Sequence, residues 1–193
     1  IGPELGFGQR VIFANLWLFR PLVERRLAAA PSTNALLRTT TAVTRIDGGV
    51  KENVLPSQAN ALVNLRLLPG DSIEGVTTHV QQTIADPRVQ IGPHGNSNSE
   101  PSAISSTDGV GFQTLERTIR QVFPDVLVAP GQVLGGTDAR HYAALSPNIY
   151  RFLPQRLGTA DVARLHGTNE RLAVADYADG VRFYVQLIKN SSQ

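Results

Sequence analysis

The run from Asn60 to Leu68, NALVNLRLL, constrains the fold more than any other stretch of the chain. Ala61, Val63, Leu65 and Leu67 fall on one face and Leu62, Asn64, Arg66 and Leu68 on the other, the period of two that marks a strand. One face is wholly apolar and needs a cover; the other carries a polar pair. The strand is entered through Asn53-Val54-Leu55-Pro56, where the proline biases Leu55 towards extended backbone, and is left through the turn dipeptide Pro69-Gly70. Asn53 is therefore expected at the mouth of a tight connection and Arg66 near the end of a strand. Two readings of that pair stand side by side. Arg66 snorkels over a solvated face while Asn53 caps a turn, or guanidinium and amide together hold a carboxylate or a developing oxyanion. Spacing does not decide between them.

Around this run the periodicity alternates. Val11 to Ala30 reads as helix, with Pro21 expected to break it, and Phe13, Leu16, Trp17 and Phe19 read either as ordinary core or as a groove for an apolar substrate tail. Arg38 to Ile46 is β-branched and is followed by the turn signal Asp47-Gly48-Gly49. From Ile73 the period becomes 3.6, with Ile73, Val76, Val80 and Ile84 in one stripe, Asp71 and Glu74 at capping-box spacing, and Asp86-Pro87 as the stop. Arg88 to Ile91 reads as a short strand. The Gly-, Ser- and Asn-rich Gly92 to Ser99, which contains His94, reads as a linker. His79 lies off the apolar stripe, as a solvated residue.

Beyond the linker, Val110 to Phe123 reads as helix, Val126 to Ala129 and Asn148 to Leu153 as strands, and Leu172 to Lys189 as a final amphipathic helix. The glycine-rich loop Gly131 to Gly136 leads into Thr137-Asp138, an order at which α/β domains place ligands, although Asp138 reads equally well as a helix N-cap.

Composition removes several classes of function. With 41% hydrophobic residues in 193, the chain has material for a core and forms one domain or two small ones. Lys and Arg number 18 against 16 Asp and Glu, with no long run of one sign, so nothing reads as a nucleic-acid stripe. No segment is apolar for the eighteen or so residues of a membrane span. Cysteine is absent, which excludes thiolate metal sites and leaves the compartment open. Methionine is absent too, so Ile1 is no initiator and the chain is expected to be a piece of something longer.

Asn53 to Ser72, NVLPSQANALVNLRLLPGDS, resembles the lid-domain signature of the di-zinc metallopeptidases and amidohydrolases that include carboxypeptidase G, succinyl-diaminopimelate desuccinylase, aminoacylase and carboxypeptidase S. Arg38-Thr39-Thr40-Thr41, Gly135-Gly136-Thr137-Asp138-Ala139-Arg140 and His166-Gly167-Thr168-Asn169-Glu170 follow in the family's order, and the carboxypeptidase S branch is the most similar. The resemblance implies an α+β fold. Residues 1–100 would be a two-layer sheet-and-helix lid, or dimerisation domain, whose first strand and helix lie upstream. Residues 101–193 would be the C-terminal α/β part of the zinc-peptidase catalytic domain.

It also implies the chemistry, hydrolysis of an amide bond next to a free carboxylate in a small peptide or N-acyl amino acid. Substrate contacts would come from Asn53, Arg66, Gly135, Gly136, Thr137, Asp138 and Arg140. His166 would be the C-terminal ligand of one of two zinc ions, with Glu170 orienting its loop or capping the next helix, and His141 is given no role. The general base and the other ligands belong to an N-terminal lobe that nothing here matches. The chain alone is therefore expected to be catalytically silent and to retain no zinc. A homodimer through the lid is expected, and for the isolated chain a non-catalytic dimerisation or interaction module is the alternative.

Overall fold

In the computed structural model, which describes residues 5–95 and 98–192, the elements are α1 (Phe7–Ala14), α2 (Leu16–Ala28), α3 (Pro31–Asn34), β1 (Thr40–Gly48), β2 (Ala59–Arg66), α4 (Ile73–Ile84), α5 (Val110–Val122), a 3₁₀ turn (Asp138–Tyr142), α6 (Thr159–Val162) and α7 (Val174–Ser191). Helices and a small antiparallel sheet make it an α+β chain. It divides into two compact units. One takes residues 6–103 and, from far along the chain, 134–136; the other takes Leu5, 104–133 and 137–192.

In the first unit the organising strand forms as β2, antiparallel to β1 from Thr40↔Arg66 to Gly48↔Ala59. Leu67 and Leu68 lie beyond its end. Thr44 is bulged out between Val43↔Val63 and Arg45↔Leu62, and its Oγ1 donates to the Leu62 carbonyl at 3.3 Å. Asp47 and Gly48, expected in the turn, are paired in β1, and the chain reverses from Gly49, whose φ of 77° suits glycine. The connection, residues 49–58, is accordingly long and not tight. The second layer expected over the hairpin is absent from the packing of the described elements, which here joins β1 to β2, α1 to α2 and α2 to α3. Apolar strand residues stay open as a result, Ile46 at 74% and Val43 at 58% exposure.

The first helical segment breaks at Asn15 and not at Pro21. The Asn15 amide donates to the Val11 carbonyl (2.9 Å) and its backbone N–H to Ile12, closing α1 in a tighter turn, whereas Pro21 sits inside α2 and removes one helical bond. Phe13, Leu16 and Trp17 are exposed and Phe19 half-buried, so within this chain they form no core. The start of α4 also differs from the capping box expected. Ser72 Oγ accepts from the Gly75 N–H at 3.0 Å and the Glu100 carboxylate from the Ile73 N–H, while Asp71 is engaged by Thr39. Ala85, left-handed at φ 50°, ends the helix.

Residues 88–91 form no strand. Asp86 gathers the backbone N–H and guanidinium of Arg88 and closes a local turn with Val89.

The second unit holds the buried apolar cluster, Ile119, Phe123 and Phe183, where α5 packs on α7, with Leu115, Val122, Val128 and Leu187 around it. Burial of an aromatic such as Phe183 contributes roughly 1.5–3 kcal/mol. Inside the same interface the Asn190 amide donates to Thr118 Oγ1 and Gln121 Oε1, both at 2.8 Å, which satisfies the buried polar atoms. Arg156 bridges Asp176 (3.0 Å) and Asp179 (2.8 Å) and lies 5.3 Å over the Phe123 ring.

Neither strand expected here is formed. Val128 packs without a ladder partner. At 148–153 side chains take the backbone groups instead: Ser105 Oγ donates to the Ile149 carbonyl and accepts from its N–H, and Ser146 Oγ does the same for Asn148, whose own Oδ1 accepts from the Ser106 N–H.

Candidate functional site

Arg66 closes β2, and the pairing with Thr40 places it at the end of the hairpin away from the 49–58 connection. The Arg38-Thr39-Thr40-Thr41 motif holds that end. Thr39 Oγ1 accepts from the Leu68 N–H at 2.8 Å and donates to the Asp71 carboxylate, tying the strand exit to the approach to α4. From there the Arg66 guanidinium donates through Nη1 to the Leu134 carbonyl at 3.2 Å. Leu134 heads Gly135 and Gly136, and these three residues belong to the same compact unit as the hairpin. Two elements 68 residues apart in sequence are thereby brought together, and nothing stands within 4 Å of a Cβ built on either glycine.

Asn53 is not brought to Arg66. It lies in the connection at the Gly48/Ala59 end, in a turn closed by the Val54 N–H on the Lys51 carbonyl. Ala59 to Arg66 spans about 23 Å of strand at ~3.3 Å per residue. Within one chain amide and guanidinium cannot share a carboxylate, because the register puts them at opposite ends of the hairpin.

Thr137 and not Asp138 is the cap of the 3₁₀ turn. Its backbone is extended, and Oγ1 accepts from the Ala139 N–H at 3.3 Å and from Arg151 Nε at 3.1 Å. Asp138 stands in the first turn, and Arg140 Nε donates to His141 Nε2 at 3.3 Å.

His166 occupies an exposed loop in left-handed backbone, φ 59°, as does Asn169 at φ 64°. Such geometry is costly for a non-glycine residue and is held from two sides: the His166 N–H donates to Glu170 Oε2 at 3.1 Å and the Gly167 N–H to the Arg164 carbonyl at 2.9 Å. Glu170 thus braces the loop, and α7 begins beyond it without a side-chain cap. Nearby, the N–H of Gly158, with a smaller contribution from Arg164, holds the Asp161 carboxyl below the ordinary aspartate range.

A zinc site needs at least three protein ligands, and no three His, Cys, Asp or Glu side chains come together among the described residues. His166 is one donor and does not make a site alone. No helix among the described residues is long and apolar enough to cross a membrane.

A family model described as peptidase family M20/M25/M40 matches residues 8–190. The chain belongs to that family. It is 46% identical over 193 residues to the probable carboxypeptidase S-like 2 of Dictyostelium discoideum, covering 100% of this chain and 37% of that protein. The N-fatty-acyl-amino acid synthase/hydrolase PM20D1 of Xenopus tropicalis is 44% identical over 192 residues, 99% of this chain and 37% of the relative. The corresponding Homo sapiens protein is 40% identical over 191 residues, 97% and 38%. These names bear out the resemblance to the carboxypeptidase S branch. The chain spans about 37% of the length of such curated relatives. No solved structure matches.

The contacts that sequence reasoning missed are those of Thr39 and the Leu134 carbonyl in one unit and, in the other, that of Arg151 with Thr137. Thr39 stood in a motif already singled out. The carbonyl has no side-chain signature, and Arg151 lies in a stretch that reads as strand.

Proposed function

We propose that the protein is a zinc-dependent hydrolase that cleaves an amide bond next to a free carboxylate, as a carboxypeptidase or an N-acyl amino acid amidohydrolase. The observation that carries the reading is the reach of Arg66 to the head of the Gly135-Gly136 loop. A guanidinium fork then stands beside two glycines whose Cβ positions are open, and charge-assisted donors of that kind are what a carboxylate recruits. The names of the relatives agree, since a peptide C-terminus and an N-acyl amino acid share an amide beside a carboxylate.

In this reading Arg66 takes the substrate carboxylate in two charge-assisted bonds, and Gly135, Gly136, Thr137, Asp138 and Arg140 are further substrate contacts. His166 is one ligand of a zinc site whose other ligands lie outside these residues. Bound zinc would supply an activated water. Asn53 stabilises charge elsewhere than at the carboxylate held by the Arg66 of its own chain. Residues 1–100 act as lid and residues 101–193 as the catalytic part.

The test uses the full-length protein. Arg66→Lys keeps the charge and loses the paired geometry, and should lower kcat/KM for a free-acid substrate by about 1.5–3 kcal/mol, roughly tenfold to a hundredfold or so. A substrate with its carboxylate converted to an amide should hardly distinguish the variant from wild type. Equal loss on both substrates would give Arg66 a supporting role in the fold or at the oxyanion.

A second reading, a dimerisation module, is favoured by the two-stranded sheet, whose outer edges have no strand partner among the described residues. Unpaired edges are templates for another chain. The two readings are compatible in one homodimeric enzyme.

A further inference from the structure

Arg151 sits directly after Asn148-Ile149-Tyr150, a segment with little freedom. Ser105 brackets the Ile149 peptide at 3.0 and 2.8 Å, Ser106 N–H donates to Asn148 Oδ1 at 2.8 Å, and the Tyr150 hydroxyl donates to the Ser106 carbonyl at 2.6 Å. From that base Arg151 Nε donates to Thr137 Oγ1 at 3.1 Å, and the Ala139 N–H donates to the same oxygen at 3.3 Å. A hydroxyl has two acceptor lone pairs and one proton to give. With both lone pairs engaged, the Thr137 proton is left to be donated. We propose that Arg151 is a positioning residue for the reaction: by filling a lone pair of Thr137 Oγ1 it fixes that hydroxyl as a hydrogen-bond donor to the anionic group of the substrate.

The inference rests on the reading of the Thr137 loop as a substrate site and goes beyond it in naming what sets the hydroxyl's direction. Arg151 does not itself touch the substrate. A guanidinium suits the task because it never accepts a hydrogen bond, so the hydroxyl cannot turn round and spend its proton on it. Proximity of the positive charge also makes the hydroxyl a better donor.

The test measures steady-state kinetics of the full-length protein on an N-acyl amino acid, with Thr137→Val, Thr137→Ser, Arg151→Ala, Arg151→Gln and the pair Thr137→Val/Arg151→Ala. Thr137→Val is expected to raise KM by about tenfold, the size of one hydrogen bond to a charged group, and Thr137→Ser to stay near wild type. Arg151→Ala should raise KM by a comparable factor, and the double variant should be no worse than Thr137→Val within about threefold, since both remove one interaction. Arg151→Gln, whose amide can either donate to Thr137 Oγ1 or accept its proton, should recover the fold but only part of the KM, which keeps the question open to measurement if the alanine variant is poorly folded. Effects that multiply in the double variant, or a fall in thermal midpoint with KM unchanged, would overturn the positioning role. If Arg151→Ala is silent while Thr137→Val is impaired, only the role of Arg151 falls; if Thr137→Val is itself silent, the substrate reading of the loop falls with it.

Discussion

At the scale of single residues, the candidate site is made by groups whose neighbours leave them something to do. Arg66 is held by one carbonyl and has donors to spare; Thr137 accepts twice and keeps its proton. Gly136 is the sharpest case. Its Cβ position is open and its φ is not in the left-handed region, so Gly136→Ala should change stability by no more than about 0.5 kcal/mol in either direction, as surface substitutions do. If a substrate approaches the backbone there, the same methyl group should raise KM severalfold in the full-length protein. Thermal unfolding and kinetics on one preparation separate the two, and an unchanged KM would remove Gly136 from the substrate contacts. Asn53 and Arg66 teach the opposite lesson: two residues in one motif, 13 apart, end on opposite ends of a hairpin.

At the scale of elements, the pair α5 and α7 carries the packing. Phe183 is 1% exposed and meets Phe152 and Tyr184 at ring-centroid distances of 5.0 and 5.4 Å, so Phe183→Ala should cost about 3–5 kcal/mol by losing burial and leaving a cavity. Denaturant titration of the chain would measure it; a loss under about 1 kcal/mol would mean that this interface does not limit stability. The short α6 is held differently. Asp161 accepts from the Gly158 N–H at 2.9 Å and pairs with Arg164, and its carboxyl is held below the ordinary aspartate value. A lowered folded value means that the contribution is complete above about pH 4, the ordinary aspartate range, and is lost as pH falls through the folded one. An NMR titration should give Asp161 a midpoint below that of a solvated aspartate, and Asp161→Asn should abolish this part of the acid dependence of the α6 turn; a midpoint at the ordinary value would refute the interaction.

At the scale of the whole molecule, the contrast between the two units is the informative fact. One holds a buried cluster, while in the other no residue of α1 to α4 is fully buried and apolar side chains of the hairpin and of α1 and α2 stay open. Pairing of two hairpins is the proposed way of closing a sheet edge. Light scattering should then find a dimer of the full-length protein, and Ile46→Lys, at a position 74% exposed, should shift it towards monomer by setting like charges against each other. A dimer indifferent to Ile46→Lys would place the interface elsewhere.

The sequence alone determined the elements whose signal is local. The alternation of 60–68, the apolar stripes of α4, α5 and α7, and the ordered motifs of the family need no knowledge of what packs on them, because strand period, helix period and residue identity are properties of consecutive positions. What failed were the short apolar runs 88–91, 126–129 and 148–153, for a strand exists only where another backbone is free to pair, and here Asp86, Ser105 and Ser146 answer for several of the backbone groups of 88–91 and 148–153 instead. Only the tertiary structure decided that Arg66 meets Leu134, that Asn53 stands apart from both, and that Arg151 meets Thr137. Those relations join residues up to 68 positions apart, and their distances follow from register and loop path, which no local pattern encodes.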